Sequence, residues 1–254
     1  MVEENPRGGY AYVRGIGPYS AGVVASEGFT LEHVRLSKAI PLRAGFAVVD
    51  THLRSIGRPR AAICAMALRS PAPFSFPGFD AFNAEYVNLL KGWDLLLDGV
   101  NPIARTNVAP EVGAPGEPSL YSFTYTLPAQ RERASSPQFV VAGAGELPEG
   151  SLAPDDVVRR DEVTPDAIAE KARFVLGLME GRLKGLGGSW ADATVVNVYT
   201  IHDVHALLAA EILPRIGTAS QAGVTWHFTR PPIRSIEFEM DVRGCARELV
   251  VEVT

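Results

Sequence analysis

The ten residues from Asn101 to Pro110 (Asn-Pro-Ile-Ala-Arg-Thr-Asn-Val-Ala-Pro) carry one charge, Arg105, among the packing residues Ile103, Ala104 and Val108. A lone guanidinium in such a β-type run either points to solvent or is buried to hold an anion, and its planar fork of donors matches a carboxylate. A second concentration of chemistry lies near the C-terminus, where Ser235 to Val242 alternates apolar and polar residues. Two-residue alternation puts Glu237, Glu239 and Asp241 on one face of a strand. Three carboxylates on one face cannot all be buried without partners. His202 and His205 have the spacing of a metal pair, but no third ligand stands at a sensible distance and Asp203 reads as a helix cap, so no metal site is expected. No phosphate-cradling glycine loop or dinucleotide fingerprint occurs, so no organic cofactor is expected.

The chain of 254 residues is long enough for one large domain or two smaller ones. Hydrophobic residues at 46% and charged residues at 21% exclude a largely disordered chain. A net charge of −5 with no basic run argues against nucleic acid as a partner. Cys64 and Cys245 lie far apart in strand-like runs and read as reduced core thiols. No leader pattern and no apolar run of membrane-spanning length is visible, so a soluble cytoplasmic protein without membrane contact is expected.

The elements that must position these residues follow from periodicity. Phe46, Val49, Leu53 and Ile56 mark an amphipathic helix over 42–56 that stops at Gly57. Residues 60–68 read as a buried strand, 79–97 as a second helix with Phe82, Tyr86, Leu90 and Leu97 on one side, and 120–126 as a strand rich in aromatic and β-branched residues. Between Pro128 and Pro137 the composition turns to Gln, Arg, Glu and Ser, a linker signature. The pattern then restarts. A strand at 139–142 is followed by a helix opening at Thr164-Pro165-Asp166, a strand over 193–201, a helix over 204–216 and strands at 224–228 and 235–242. Trp226-His227-Phe228 reads as a core strand, with His227 a candidate for lining a pocket. Both halves run strand, helix, strand, helix, strand, strand, which reads as an internal duplication with units at 1–130 and 138–254.

Gly17-Pro-Tyr-Ser20, Phe79-Asp-Ala-Phe-Asn-Ala-Glu-Tyr86 and Pro102-Ile-Ala-Arg-Thr-Asn-Val108 resemble, in order and spacing, three motifs of the RidA family of enamine/imine deaminases. In the second half, Ala144-Gly-Glu-Leu-Pro148 is similar to that family's Ser-Gly-Gln-x-Pro turn and Ile236-Glu-Phe-Glu239 to its Ile-Glu-x-Glu run. The second half lacks the arginine near Ala222-Gly223-Val224, and the first half lacks the glutamate around Leu120 to Ser122. Each half thus keeps what the other has lost, and a site combining groups from both is expected.

The resemblance implies an α+β fold of two RidA-like (chorismate mutase-like) domains, each a mixed β-sheet with two helices packed on one face. It implies Arg105 as the carboxylate clamp, Glu237 as the acid/base and Tyr19 as a hydroxyl closing the pocket. Asn107, the backbone of Gly145, Glu239 and Arg230 would complete the substrate contacts. The activity implied is hydrolytic deamination of an enamine or imine carboxylate of the 2-aminomuconate type. A muconate is a dicarboxylate, so a second cation is wanted from Arg69, Arg230 or Arg234. The alternatives are a chorismatase-like hydrolase of an enolpyruvyl ether, for which the chain is short, and a non-catalytic module binding small carboxylates. The family's trimers imply a homo-oligomer, a homotrimer of six domains or a multiple of it.

Overall fold

The computed structural model describes residues 2–129 and 136–253; most of the linker expected between Pro128 and Pro137 lies outside them. Mixed α+β architecture is built on one sheet of twelve strands. Three short strands, β1 (Val2–Asn5), β2 (Tyr10–Val13) and β3 (Gly22–Ala25), precede β4 (Phe29–Pro41), α1 (Leu42–Ser55), β5 (Ile63–Arg69), α2 (Phe76–Gly92), β6 (Ala104–Pro110) and β7 (Ser119–Pro128). The same succession then recurs as β8 (Phe139–Gly145), α3 (Pro165–Gly185), β9 (Val195–Thr200), a helical segment over 205–216, β10 (Thr225–Arg230) and β11 (Glu239–Gly244), and β12 (Arg247–Val251) ends the fold. The segment over 205–216 is α4 (His205–Leu207), a π-turn (Leu208–Ile212) and α5 (Leu213–Ile216).

The repetition extends to the sheet. In the first half the strands lie in the order β4-β7-β5-β6, and in the second β8-β11-β9-β10. In each half the middle pair is antiparallel and the last pair parallel, and β6 joins β10 antiparallel through Thr229 opposite Pro110. The halves also exchange their ends. β3 pairs with β8, setting Gly22 opposite Val141, and β12 pairs with β4, setting Leu249 opposite Val34. Neither β4 nor β12 was visible in the periodicity, because Phe29-Thr-Leu-Glu-His-Val-Arg mixes apolar and ionic residues whose partners lie elsewhere in the chain.

Local chemistry sets the helix limits. Phe46, Val49 and Leu53 are buried on α1 as their spacing requires. The second helix starts three residues earlier than expected, because the Ser75 hydroxyl accepts the Gly78 N–H at 3.1 Å and Pro77 sits in the first turn. It also stops earlier. Asp94 turns to φ 56°, so Leu97 lies beyond the helix. Thr164 caps α3 by accepting the Ala167 N–H at 3.2 Å.

Among the described residues three apolar clusters result, one around α1 and α2 (Phe46, Phe82, Tyr86, Phe123), one around α3 (Val175, Met179, Phe238, Met240) and a smaller one joining both halves (Tyr10, Val23, Ala104, Ala142). Helices cover one face of each half-sheet, and the other faces carry small and polar residues turned towards one another. On β10 the expectation of a core strand is corrected. Trp226 and Phe228 are 38% and 51% exposed, with Trp226 edge-on to His205 of α4 at 6.0 Å, while His227 turns inward. Cys64 and Cys245 are buried free thiols in one cluster beneath Tyr10 and Tyr12.

Candidate active site

Arg105 leaves β6 towards α2 and enters a box of aromatic rings. Its guanidinium lies 4.4 Å from the Tyr19 ring, 4.8 Å from Tyr86, 5.4 Å from Phe82 and 5.5 Å from Phe79. The side chain is 2% exposed and donates once, from Nη2 to Asn83 Oδ1 at 2.8 Å. Among the described residues Nε and Nη1 have no partner, and neither do the Nδ2 groups of Asn83 and Asn107. Burial lowers the pKa of Arg105 from its ordinary value, yet a guanidinium stays cationic throughout the working range. Aromatic faces stabilise such a charge by about 0.5–2 kcal/mol, which does not replace lost hydrogen bonds. Four orphaned donors at one buried point form a receptor for an anion with two acceptor atoms.

The opposite wall comes from the second half. Gly143 and Gly145 at the end of β8, Pro148 and Glu149 in the following turn, Arg182 from α3 and Glu239 from β11 line a cleft of about 60 Å³ together with Tyr19, Arg105 and Asn107. Gly143 is required for this closeness. A Cβ there would stand 2.2 Å from Glu239 Oε1 and 3.2 Å from the Thr106 Cα. Gly145 is held equally tightly, with Ile236 Cγ2 at 2.4 Å from the place of its missing Cβ.

Glu239 is 4% exposed and forms no salt bridge among the described residues. Burial raises its carboxyl pKa well above the usual range, and the neighbouring Asp241 charge adds to the shift. Burial thus favours its protonated form. Tyr19 is pushed upward by burial as well and remains a neutral phenol. Arg182 is 10% exposed; it donates from Nε and Nη2 to Glu149 at 2.6 and 2.9 Å and from Nη1 to the Ala142 carbonyl at 2.9 Å.

The turn is anchored from below. Glu146 is fully buried, pairs with Lys171 Nζ at 2.9 Å and accepts the backbone N–H groups of Glu237 and Phe238 at 2.7 and 3.0 Å. Its pKa is raised, burial outweighing the Lys171 charge. This carboxylate ties the 144–148 turn to α3 and to the start of β11.

The structure brings Tyr19, Arg105, Asn107, Gly145 and Glu239 together and leaves Glu237 and Arg230 outside. Glu237 precedes β11, and its carboxylate pairs with His202 Nε2 at 2.8 Å. The expectation of one strand face for all three carboxylates is thus corrected, because capture of the 237–238 amides by Glu146 keeps the strand from starting before Glu239. Arg230 pairs with Glu111 at 2.6 Å on the surface, Arg69 turns to the far side of the sheet and Arg234 is exposed. The second cation of the cleft is Arg182, which sequence reading passed over because a basic residue in the last turn of a helix has an ordinary explanation in the helix dipole. His205 bonds to Asp203, which also accepts the His205 N–H at 2.9 Å, as a cap would.

No helix among the described residues is long and apolar enough to cross a membrane. The family described as 2-aminomuconate deaminase CnbZ matches residues 2–249. A 2-amino-5-chloromuconate deaminase of Comamonas testosteroni is 43% identical over 246 residues, covering 96% of this chain and 96% of that protein. Among solved structures, cyanuric acid hydrolase aligns over 85% of this chain and 67% of its own at 10% identity and a TM-score of 0.41. A Thermotoga maritima protein titled a putative endoribonuclease aligns over 54% and 91% at 19% identity and a TM-score of 0.32. Scores this low carry no weight for fold or function.

Proposed function

The chain belongs to the 2-aminomuconate deaminase CnbZ family, and from that premise we infer that it is a hydrolytic deaminase of 2-aminomuconate-type substrates, working in the cleft between Arg105 and Glu239. The observation that carries the placement is the cluster of orphaned donors on Arg105 and Asn107 in one cleft with the buried Glu239 carboxyl, which has no salt-bridge partner among the described residues. The carboxylate next to the amino-bearing carbon is met by the unpaired N–H groups of Arg105, and Asn107 Nδ2 supplies a further donor. Hydrogen bonds to charged groups contribute about 1.5–3 kcal/mol, enough to orient a small acid.

Glu239 then acts as acid and base in turn. Its proton goes to the enamine carbon adjacent to the C–N carbon, and the nitrogen lone pair forms an iminium. The resulting carboxylate takes a proton from water as the water oxygen bonds to the iminium carbon. The proton returns to the nitrogen, the C–N bond breaks with release of ammonia, and the hydroxyl proton restores the Glu239 acid. The sum is enamine plus water to ketone plus ammonia. Tyr19 offers its hydroxyl to the reacting nitrogen or oxygen. A cleft of about 60 Å³ holds a few waters, by the criterion of roughly 10–15 Å³ each, so the far end of a six-carbon diacid extends to the mouth. Arg182 is the cation there, and Glu149 must give way to the distal carboxylate.

The reading includes two RidA-like domains, 1–130 and 138–254, supported by the repeated strand order. It includes a homotrimer of such chains in the cytoplasm, an assembly supported only by the motif resemblance and measured by mass photometry. The test of function is ammonium release when the purified protein meets freshly generated 2-aminomuconate, above a control without enzyme. Release of pyruvate from chorismate with no ammonium from the enamine would favour an enolpyruvyl hydrolase, and binding without turnover a carboxylate-binding module.

A further inference from the structure

The face of the sheet turned away from the helices encloses a second cavity, of about 310 Å³, at the lower end of the range of roughly 300–1,000 Å³ typical of ligand sites. Strand alternation explains its lining. On β5, Ala65, Ala67 and Arg69 face the cavity, whereas Met66 and Leu68 enter the apolar core. On β9 and β11, Asn197, Tyr199, Asp241 and Arg243 face it, while Val196, Val198, Met240 and Val242 enter the other core. Two half-sheets thus present their polar faces to a common space, entered past Arg35, Thr225 and Glu248, which are exposed.

Most of the charges that line this space have local partners. Asp241 accepts from Thr106 Oγ1 at 2.7 Å, Asn197 Nδ2 at 2.7 Å and Tyr199 OH at 2.9 Å. Arg243 pairs with Glu248 at 2.8 Å. His227 bonds Asn197 Oδ1 at 3.0 Å, and burial followed by the Arg69 charge takes its pKa down to about 4, so it stays neutral. His33 is likewise held neutral, chiefly by burial. Arg35, exposed at the mouth, and Arg105, whose guanidinium turns to the other cleft, have no carboxylate partner among the described residues, and neither does Arg69, which lies inside. It is 6% exposed, has no carboxylate within salt-bridge distance among the described residues, and donates only to the carbonyl of its own neighbour Leu68, at 2.9 Å. Its guanidinium lies 4.1 Å from the Tyr121 ring and 5.8 Å from Tyr199, which stacks on His227 at 4.7 Å.

The remaining donors of Arg69 reach the open cavity, where water meets them until an anion displaces it. The rings leave the donor edge open to the cavity and give it flat walls. We propose that this inter-sheet cavity is a second ligand site, separate from the Arg105 cleft, in which Arg69 binds the carboxylate of a small planar acid lying against Tyr121, Tyr199 and His227. The acid can be a muconate-like diacid or an aromatic carboxylate, since both present the same flat π-surface and fork-matching anion. The assignment does not depend on the chemistry inferred for the Arg105 cleft.

Calorimetric titration with cis,cis-muconate, which lacks the amino group, and separately with benzoate, tests it on the intact protein. Two muconate sites per chain are expected in the wild type, with Arg105→Gln and Arg69→Gln each leaving one, and with binding at the Arg69 site weakened tenfold or more in Arg69→Gln. Ala67→Leu keeps the charge and fills the cavity, so it serves if Arg69→Gln does not fold, and it should remove the same site. Benzoate binding that depends on Arg69 but not on Arg105 assigns aromatic acids to this cavity, and loss of muconate binding there with benzoate silent assigns diacids. A single muconate site abolished by Arg105→Gln and indifferent to Arg69→Gln and Ala67→Leu would overturn the proposal. Inorganic phosphate binding more tightly than either acid at Arg69 would overturn the carboxylate assignment.

Discussion

Arg105 and Glu239 line one cleft from opposite halves of the chain, and they do not pair with each other. An ion pair would have neutralised both. Kept apart, Arg105 retains free donors and burial favours the protonated form of Glu239, so each is suited to a different part of the same substrate.

Arg105→Lys separates charge from shape. Lysine keeps the cation but offers a single ammonium where two parallel donors are needed. Loss of one charge-assisted hydrogen bond, about 1.5–3 kcal/mol, corresponds to a fall of roughly 10- to 100-fold in kcat/KM. Steady-state ammonium release measures it, and a substitution with no effect would place the carboxylate elsewhere.

Glu239 makes stability depend on pH in a definite direction. Its folded-state pKa is raised, so the proton binds more tightly to the folded chain than to the unfolded one. The associated stabilisation is fully present below the ordinary carboxyl pKa and is lost as pH rises through the raised value. Glu239→Gln keeps the neutral form at every pH. The variant should melt at a higher temperature than the wild type on the alkaline side of this window, with the difference closing towards acid pH. Thermal melts across the pH range check this, and parallel curves would contradict it.

Lys171→Met tests the anchor beneath the cleft. It leaves Glu146 buried without its cation, which costs about 3–5 kcal/mol when one member of such a pair is removed. The expected result is a large drop in the denaturation midpoint, part of which the double variant with Glu146→Gln restores. Equal stability of single and double variants would mean that the pair is not coupled.

Much of this was legible from sequence, and the failures have physical causes. The helices and the inner strands followed from apolar periodicity, which reports burial directly. Arg105 was legible because its run has no other charge to pair with. Sequence reading gives the acid/base role to Glu237 and only a substrate contact to Glu239, because alternation gives a shared face only where the strand exists, and its start depends on Glu146 reaching the 237–238 amides from 91 residues away or more. Arg182 and Arg69 needed tertiary partners to be recognised. The exchange of β1–β3 and β12 between the halves leaves no local signal, since a strand's sequence does not name its neighbour.

The most direct measurement compares ammonium release from freshly generated 2-aminomuconate by Glu239→Gln and Glu237→Gln, with circular dichroism confirming that both are folded. Removing the proton donor and base of the cleft should lower kcat at least about 100-fold, within the usual range for positioned acid–base groups. Glu237→Gln, which loses only its bond to His202, should stay within about threefold of the wild type, a difference worth less than ~1 kcal/mol. Wild-type turnover in Glu239→Gln together with an inactive Glu237→Gln would contradict the account and move the acid/base role out of the Arg105 cleft.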